Sequence, residues 1–191
     1  MKMKNNLKTG SMLILAISTM AFTTTISEKK IDVEQSEVKW KGYKVTGQHE
    51  GTINLKEGKL IFEGDKLKGG NFTVDMSSIT DTDLEGEYKG KLEGHLKSDD
   101  FFGVEKHPTA SLTITKVENN GDHYTVTGDL TIKKITNTVS FNMTVGENSA
   151  MATLKIDRSK FDVRYGSPSF FNDLKDKAIY DEFDLNVSLA F

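Results

Sequence analysis

From Ile31 onward, apolar residues recur mainly with a period of two. Phe183, Leu185, Val187, Leu189 and Phe191 alternate with Asp184, Asn186, Ser188 and Ala190, and Val139, Phe141, Met143 and Val145 with Ser140, Asn142 and Thr144. The same alternation runs through Phe72–Met76, Ala110–Ile114, Tyr124–Ile132 and Ala152–Ile156, with shorter pieces at Val38–Trp40, Ile53–Leu55 and Leu60–Phe62. Successive side chains of a strand point to opposite faces, so each run predicts a strand with one apolar and one wet face. Lys56-Glu57-Gly58, Asn119-Asn120-Gly121-Asp122 and Gly146-Glu147-Asn148-Ser149 read as the turns between them, and Asn120-Gly121 is a strong hairpin dipeptide. Roughly eight one-sided antiparallel strands must bury their apolar faces together, as a sandwich or a closed barrel. No run is apolar on both faces, which argues against a parallel sheet sheathed by helices.

Between Asp83 and Lys97 the period changes. Leu84, Tyr88, Leu92 and Leu96 recur every four residues, which is helical spacing. Gly86, Gly90 and Gly94 share that period, and each weakens a helix by up to ~1 kcal/mol relative to Ala. The segment is either a helix whose glycines let its backbone lie close against the sheet, or a frayed, glycine-rich loop.

Residues 1–27 follow a different logic. Lys2, Lys4 and Lys8 make a basic start, Met12-Leu13-Ile14-Leu15-Ala16-Ile17 opens a short apolar run, and small residues follow, with a candidate cut after Ala21. That order predicts a signal peptide and export to the periplasm or the medium. The alternative is an N-terminal membrane anchor, for which the apolar run is short. Of the 25 Lys+Arg, three leave with this segment, so 22 face 28 Asp+Glu and the remaining chain carries a charge of -6. Such acidity argues against nucleic acid and anionic membrane surfaces as partners. The absence of cysteine excludes disulfides, a thiolate metal site, a Cys nucleophile and a lipid anchor on cysteine.

Three stretches carry a resemblance: His95-Leu96-Lys97-Ser98-Asp99-Asp100-Phe101-Phe102-Gly103-Val104-Glu105-Lys106-His107-Pro108-Thr109-Ala110, Gly128-Asp129-Leu130-Thr131-Ile132-Lys133-Lys134-Ile135-Thr136, and Asp157-Arg158-Ser159-Lys160-Phe161-Asp162-Val163-Arg164-Tyr165-Gly166. In order and content they closely resemble the YceI-like family of polyisoprenoid-binding proteins, over residues 31–191. The resemblance implies an all-β fold: an extended, antiparallel, eight-stranded, lipocalin-like β-barrel with a short helix near one end. It also implies a binding protein without catalysis, which holds an isoprenoid or other long-chain lipid, such as a polyprenyl derivative or a quinone, and which can form homodimers. Lys44–Gly51 and the Gly166–Leu174 loop differ in character from the family pattern.

On that reading the lipid-facing candidates are the inward-parity residues Trp40, Phe72, Val74, Met76, Leu112, Ile114, Tyr124, Val126, Phe141, Met143, Phe183 and Leu185. Leu92, Leu96, Phe101 and Phe102 are candidates for closing one end. Plain core packing is the competing reading for each. Arg164 is the candidate for a phosphate or carbonyl head group, whereas Arg158 beside Asp157 suggests a structural ion pair or hydrogen bond. No catalytic residue and no metal site is identified: the four histidines lack zinc-site spacing, and the Asp81-Thr82-Asp83 and Ser98-Asp99-Asp100 clusters lack the calcium-loop pattern. The competing function is a filled barrel that binds a protein through residues 163–180; a cavity-blocking change such as Val126→Trp would separate the two.

Overall fold

A computed structural model describes residues 24–191. The alternating runs form nine strands: β1 (Ile26–Lys30), β2 (Asp32–Lys44), β3 (Gly47–Glu63), β4 (Lys66–Asp81), β5 (Thr109–Asn119), β6 (Tyr124–Ile132), β7 (Ile135–Val145), β8 (Ser149–Asp157) and β9 (Ile179–Ala190). The helix α1 (Gly86–Lys97) lies between β4 and β5, and two 3₁₀ turns, Arg158–Phe161 and Lys175–Lys177, lie between β8 and β9. The basic start, the apolar run and the candidate cut of the expected signal peptide fall outside the described residues. Its last two positions, Ile26 and Ser27, are the first two of β1.

All pairings are antiparallel, and they form a ring: β2 pairs with β9, β9 with β8, and so on through β4, which pairs with β3, which returns to β2. Strand β1 adds no new position. It pairs with the far half of β3 (Ile26 opposite Glu63, Lys30 opposite Lys59), whereas β2 pairs with the near half (Val38 opposite Ile53, Lys44 opposite Gly47). The two are one strand interrupted at Ile31, whose side chain is buried and whose N–H donates to the Gly58 carbonyl at 2.9 Å. The result is the closed eight-stranded barrel with one short helix. A closed ring leaves no unpaired edge, and antiparallel strands with one wet face suit it.

The β2–β3 hairpin, α1, the β6–β7 turn and the β8–β9 loop share one end of the barrel, the upper end below. The other turns and the chain's C-terminus share the lower end. The lower interior is filled: Leu60 and Val126 are completely buried, with Ile31 and Phe62 nearly so. Lys29 lies 4.8 Å from the Phe191 ring centroid and 5.4 Å from that of Phe62, capping this plug.

Three local features depart from the sequence expectations. Lys56-Glu57-Gly58 is not a turn; β3 runs through it with a bulge between Leu55 and Glu57. Gly58 is needed there because a Cβ would come within 2.7 Å of the Phe72 ring. The turn at Lys133-Lys134 carried no glycine signal, yet both residues have positive φ (50° and 64°), as a two-residue hairpin demands. The Lys133 ammonium donates to the Phe101 and Asp162 carbonyls at 3.1 and 2.9 Å, tying that turn to the loops around it. Finally, the segment after β4 is a helix, but Cβ atoms on Gly90 and Gly94 would meet nothing within 4 Å. Its glycines therefore do not bring the backbone against the sheet. Leu92, partly buried, and Leu96, buried, make the apolar contact instead.

Candidate functional site

Above the filled lower layer the interior is hollow. A cavity of about 190 Å³ lies inside the barrel, lined by inward residues of all eight ring strands together with Leu96 of α1, Phe101, Phe102 and Arg158. One enclosed water needs only ~10–15 Å³ by a comparable measure, so this is room for a slender ligand rather than a packing defect. Trp40, Val74, Leu112, Phe183, Leu185 and Val187 point inward yet are only partly buried, because they face the hollow.

Twelve of the sixteen sequence candidates line this cavity: Trp40, Phe72, Val74, Met76, Leu96, Phe101, Phe102, Leu112, Phe141, Met143, Phe183 and Leu185. The other four do not. Ile114, Val126 and Tyr124 have the same parity as the wall but lie outside it, although Val126 and Tyr124 pair with Phe141 and Met143, which line the cavity. They belong to the filled layer and to the lower rim. Val126, with no exposed surface, is unsuited to the blocking experiment: tryptophan there would overfill a packed core. Leu92 packs on the core from α1 without reaching the cavity. Alternation fixes the face a side chain takes but not whether it meets the cavity or a packed neighbour.

Arg164, the head-group candidate, lies outside the lining. Its guanidinium points to solvent, pairs with Asp162 and lies 5.0 Å from the Phe170 ring, so it is outside the cavity wall. The arginine in the wall is Arg158, whose side chain is 3% exposed. It does not bond Asp157, which instead caps the first 3₁₀ turn by accepting from the Ser159 N–H and hydroxyl at 3.0 and 2.6 Å. Arg158 donates to the carbonyls of Tyr180 (3.2 Å), Val163 (2.9 Å) and Ile179 (2.9 Å), pairs with Asp181 at 3.5 Å, and stacks 5.2 Å from the Phe101 ring centroid. It thereby ties the start of β9 to the end of β8 beneath the loop. Its neighbour in the wall, Tyr180, is half exposed and marks where the lining reaches solvent.

The chemistry of the wall is that of a hydrocarbon. Of the lining residues only Arg158 and Tyr180 titrate, and the Arg158 donors are already engaged. The Trp40 indole N–H donates to the Thr52 carbonyl at 3.2 Å. Gly51 lets that ring lie flat on β3, since a Cβ would reach 2.7 Å from the indole and 1.9 Å from the Thr80 carbonyl. Behind Phe101, His95 stacks edge-on with Tyr165 (4.3 Å) and Phe101 (5.6 Å), and burial holds its imidazole pKa below the ordinary value. Among the described residues, no acid–base pair faces the cavity.

The sequence profile of the YceI-like domain matches residues 30–191. The chain belongs to the YceI-like family. Protein YceI of Escherichia coli O157:H7 is 34% identical over 95 residues, 47% of this chain and 45% of that protein. A UPF0312 protein of Photorhabdus laumondii is 38% identical over 72 residues, 38% of this chain and 34% of that protein. The chain thus spans between a third and a half of the length of the curated relatives it matches. Among solved structures, BcnA of Burkholderia cenocepacia superposes with a TM-score of 0.70 at 24% identity, over 84% of this chain and 99% of that one. The YceI protein of Campylobacter jejuni gives 0.53 at 21%, over 71% and 81%. Both share the YceI-like barrel, and none of these names denotes a reaction.

Proposed function

We propose that this YceI-like protein is an exported binding protein that holds an isoprenoid or similar amphiphilic lipid, of polyprenyl or quinone type, in the barrel for storage or transport. The observation that carries this reading is the apolar hollow inside a closed barrel, beside a fully packed layer that includes Leu60 and Val126. An apolar tail gains ~25 cal/mol for each Å² removed from water, so about 55 Å² is worth a factor of ten in affinity before the cost of ordering the chain. A wall so largely apolar offers little to a sugar or nucleotide and discriminates weakly along a hydrocarbon. Met76 and Met143 give it an adaptable lining. The polar end of such a lipid would meet the Tyr180 side of the upper end. Export to the periplasm or the medium is supported by the basic-then-apolar start of the chain.

The test is direct. The purified protein is denatured and extracted with organic solvent, and the extract is analysed by mass spectrometry; stripped protein is then offered a long-chain polyprenol and a quinone. A stoichiometric isoprenoid, or its uptake, is expected. Absence of lipid in repeated preparations together with no uptake overturns the proposal.

A further inference from the structure

At the upper rim, the β3–β4 pairing brings together residues far apart in sequence. Gly51 lies opposite Asp81, and the Thr82 N–H continues the ladder to the Glu50 carbonyl at 2.9 Å, so His49 comes to lie beside Asp83. One ligand atom each from His49, Asp81 and Asp83 lies within 4.8 Å of the others. Asp81 is completely buried. One of its oxygens accepts the Leu84 N–H at 2.7 Å, while the other, Oδ2, is buried with no hydrogen-bond partner. Asp83 uses one oxygen to accept the Glu50 N–H at 3.0 Å and turns the other to His49 Nδ1, also at 3.0 Å. Each carboxylate is therefore anchored through one oxygen and presents the other to the same point. An unpaired buried carboxylate oxygen is costly and requires a partner.

We propose that His49, Asp81 and Asp83 bind a divalent transition-metal ion of the zinc class at the barrel rim. One imidazole nitrogen and two carboxylate oxygens suit Zn²⁺, whereas Ca²⁺ takes six to eight oxygens and Mg²⁺ an octahedron of them. Three protein ligands leave a fourth tetrahedral position for water. Bonds of ~2.0–2.2 Å need the three donors to draw in from their present spacing, and the part-exposed His49 and Asp83 can move toward a fixed Asp81. The outer layer is in place: Glu93 of α1 accepts the Asp81 N–H at 2.9 Å and the Thr80 hydroxyl at 2.5 Å, pinning the strand end that carries the ligand.

Chelator-treated protein is titrated with ZnCl₂ by calorimetry, while the imidazole NMR signals of its four histidines are followed. One ion per chain is expected, with the His49 ring shifting and His95, His107 and His123 unmoved. His49→Ala and Asp83→Asn, at part-exposed positions, should each weaken binding at least tenfold and leave the circular dichroism spectrum unchanged; His123→Ala should not weaken it. No binding, equal shifts at several histidines, or a His49→Ala titration like that of the parent overturns the proposal.

Discussion

Arg158 shows how much one side chain holds at the upper end. Removing it strands three carbonyls and the Asp181 carboxylate in a buried site. Arg158→Ala should therefore destabilise the fold by about 3–5 kcal/mol, read as a shift in the urea midpoint. Lysine should recover only part, because its ammonium cannot reproduce the planar fork that reaches all three carbonyls. The sequence placed Arg158 next to Asp157 and suggested that pair. The observed partner, Asp181, becomes adjacent only through the β8–β9 pairing. His95 gives a pH signature. Its folded-state pKa is lowered by burial, so the unfolded chain takes up the proton first as pH falls below the ordinary value of about 6.5. The stability it contributes is present above that pH and is lost on acidification through the lowered folded value. His107 is lowered for the same reason, with Lys134, Lys133 and Lys106 adding repulsion. Denaturant midpoints at pH 7.5 and 5 should fall more for the parent than for His95→Phe; equal falls would show that His95 contributes nothing.

The elements divide into those whose rules are local and those whose rules are not. Strand faces were legible because a period of two needs no knowledge of neighbours: the inward residues of β6 and β8, and those of β9 from Phe183 on, follow the alternation read from the sequence. The bulge in β3 was not legible, since Lys56-Glu57-Gly58 is equally a turn signal until Phe72 and Ile31 are seen against Gly58. The helix was legible by period, but the function of its glycines was misread. With open space around them, Gly90→Ala and Gly94→Ala should each stabilise the protein by roughly 0.5–1 kcal/mol, seen as additive rises in melting temperature. Gly86, at φ 56°, should not tolerate the same change. Gly51→Ala should cost about 1–3 kcal/mol or more, because the obstructing atom is the Thr80 backbone oxygen, which cannot swing aside.

At the scale of the whole molecule, the division of the interior between packed side chains and a hollow decides whether the proposed lipid can be held. That division was invisible in the chain, where Val126 and Leu130 have identical credentials. A bulky residue at Val74, part-exposed to the hollow, should abolish recovery of extracted lipid while leaving the melting temperature nearly unchanged. The same bulk at Val126 should do the reverse: lower the melting temperature without selectively expelling the lipid. Measuring both variants side by side separates a carrier from a barrel whose interior serves only as core. The rim cluster of His49, Asp81 and Asp83 was hidden for a related reason, as it forms only when two strands align.

The seam between β2 and β9 has a temporal side. Val38 meets Val187 there, so the ring can be completed only by segments from near the two extremes of the chain. Bringing such distant pieces together carries a large loop-closure entropy, and proteins dominated by such contacts fold slowly. Until β9 has been synthesised the earlier strands form an unsealed sheet. The enclosed hollow therefore comes into being only with the last strand.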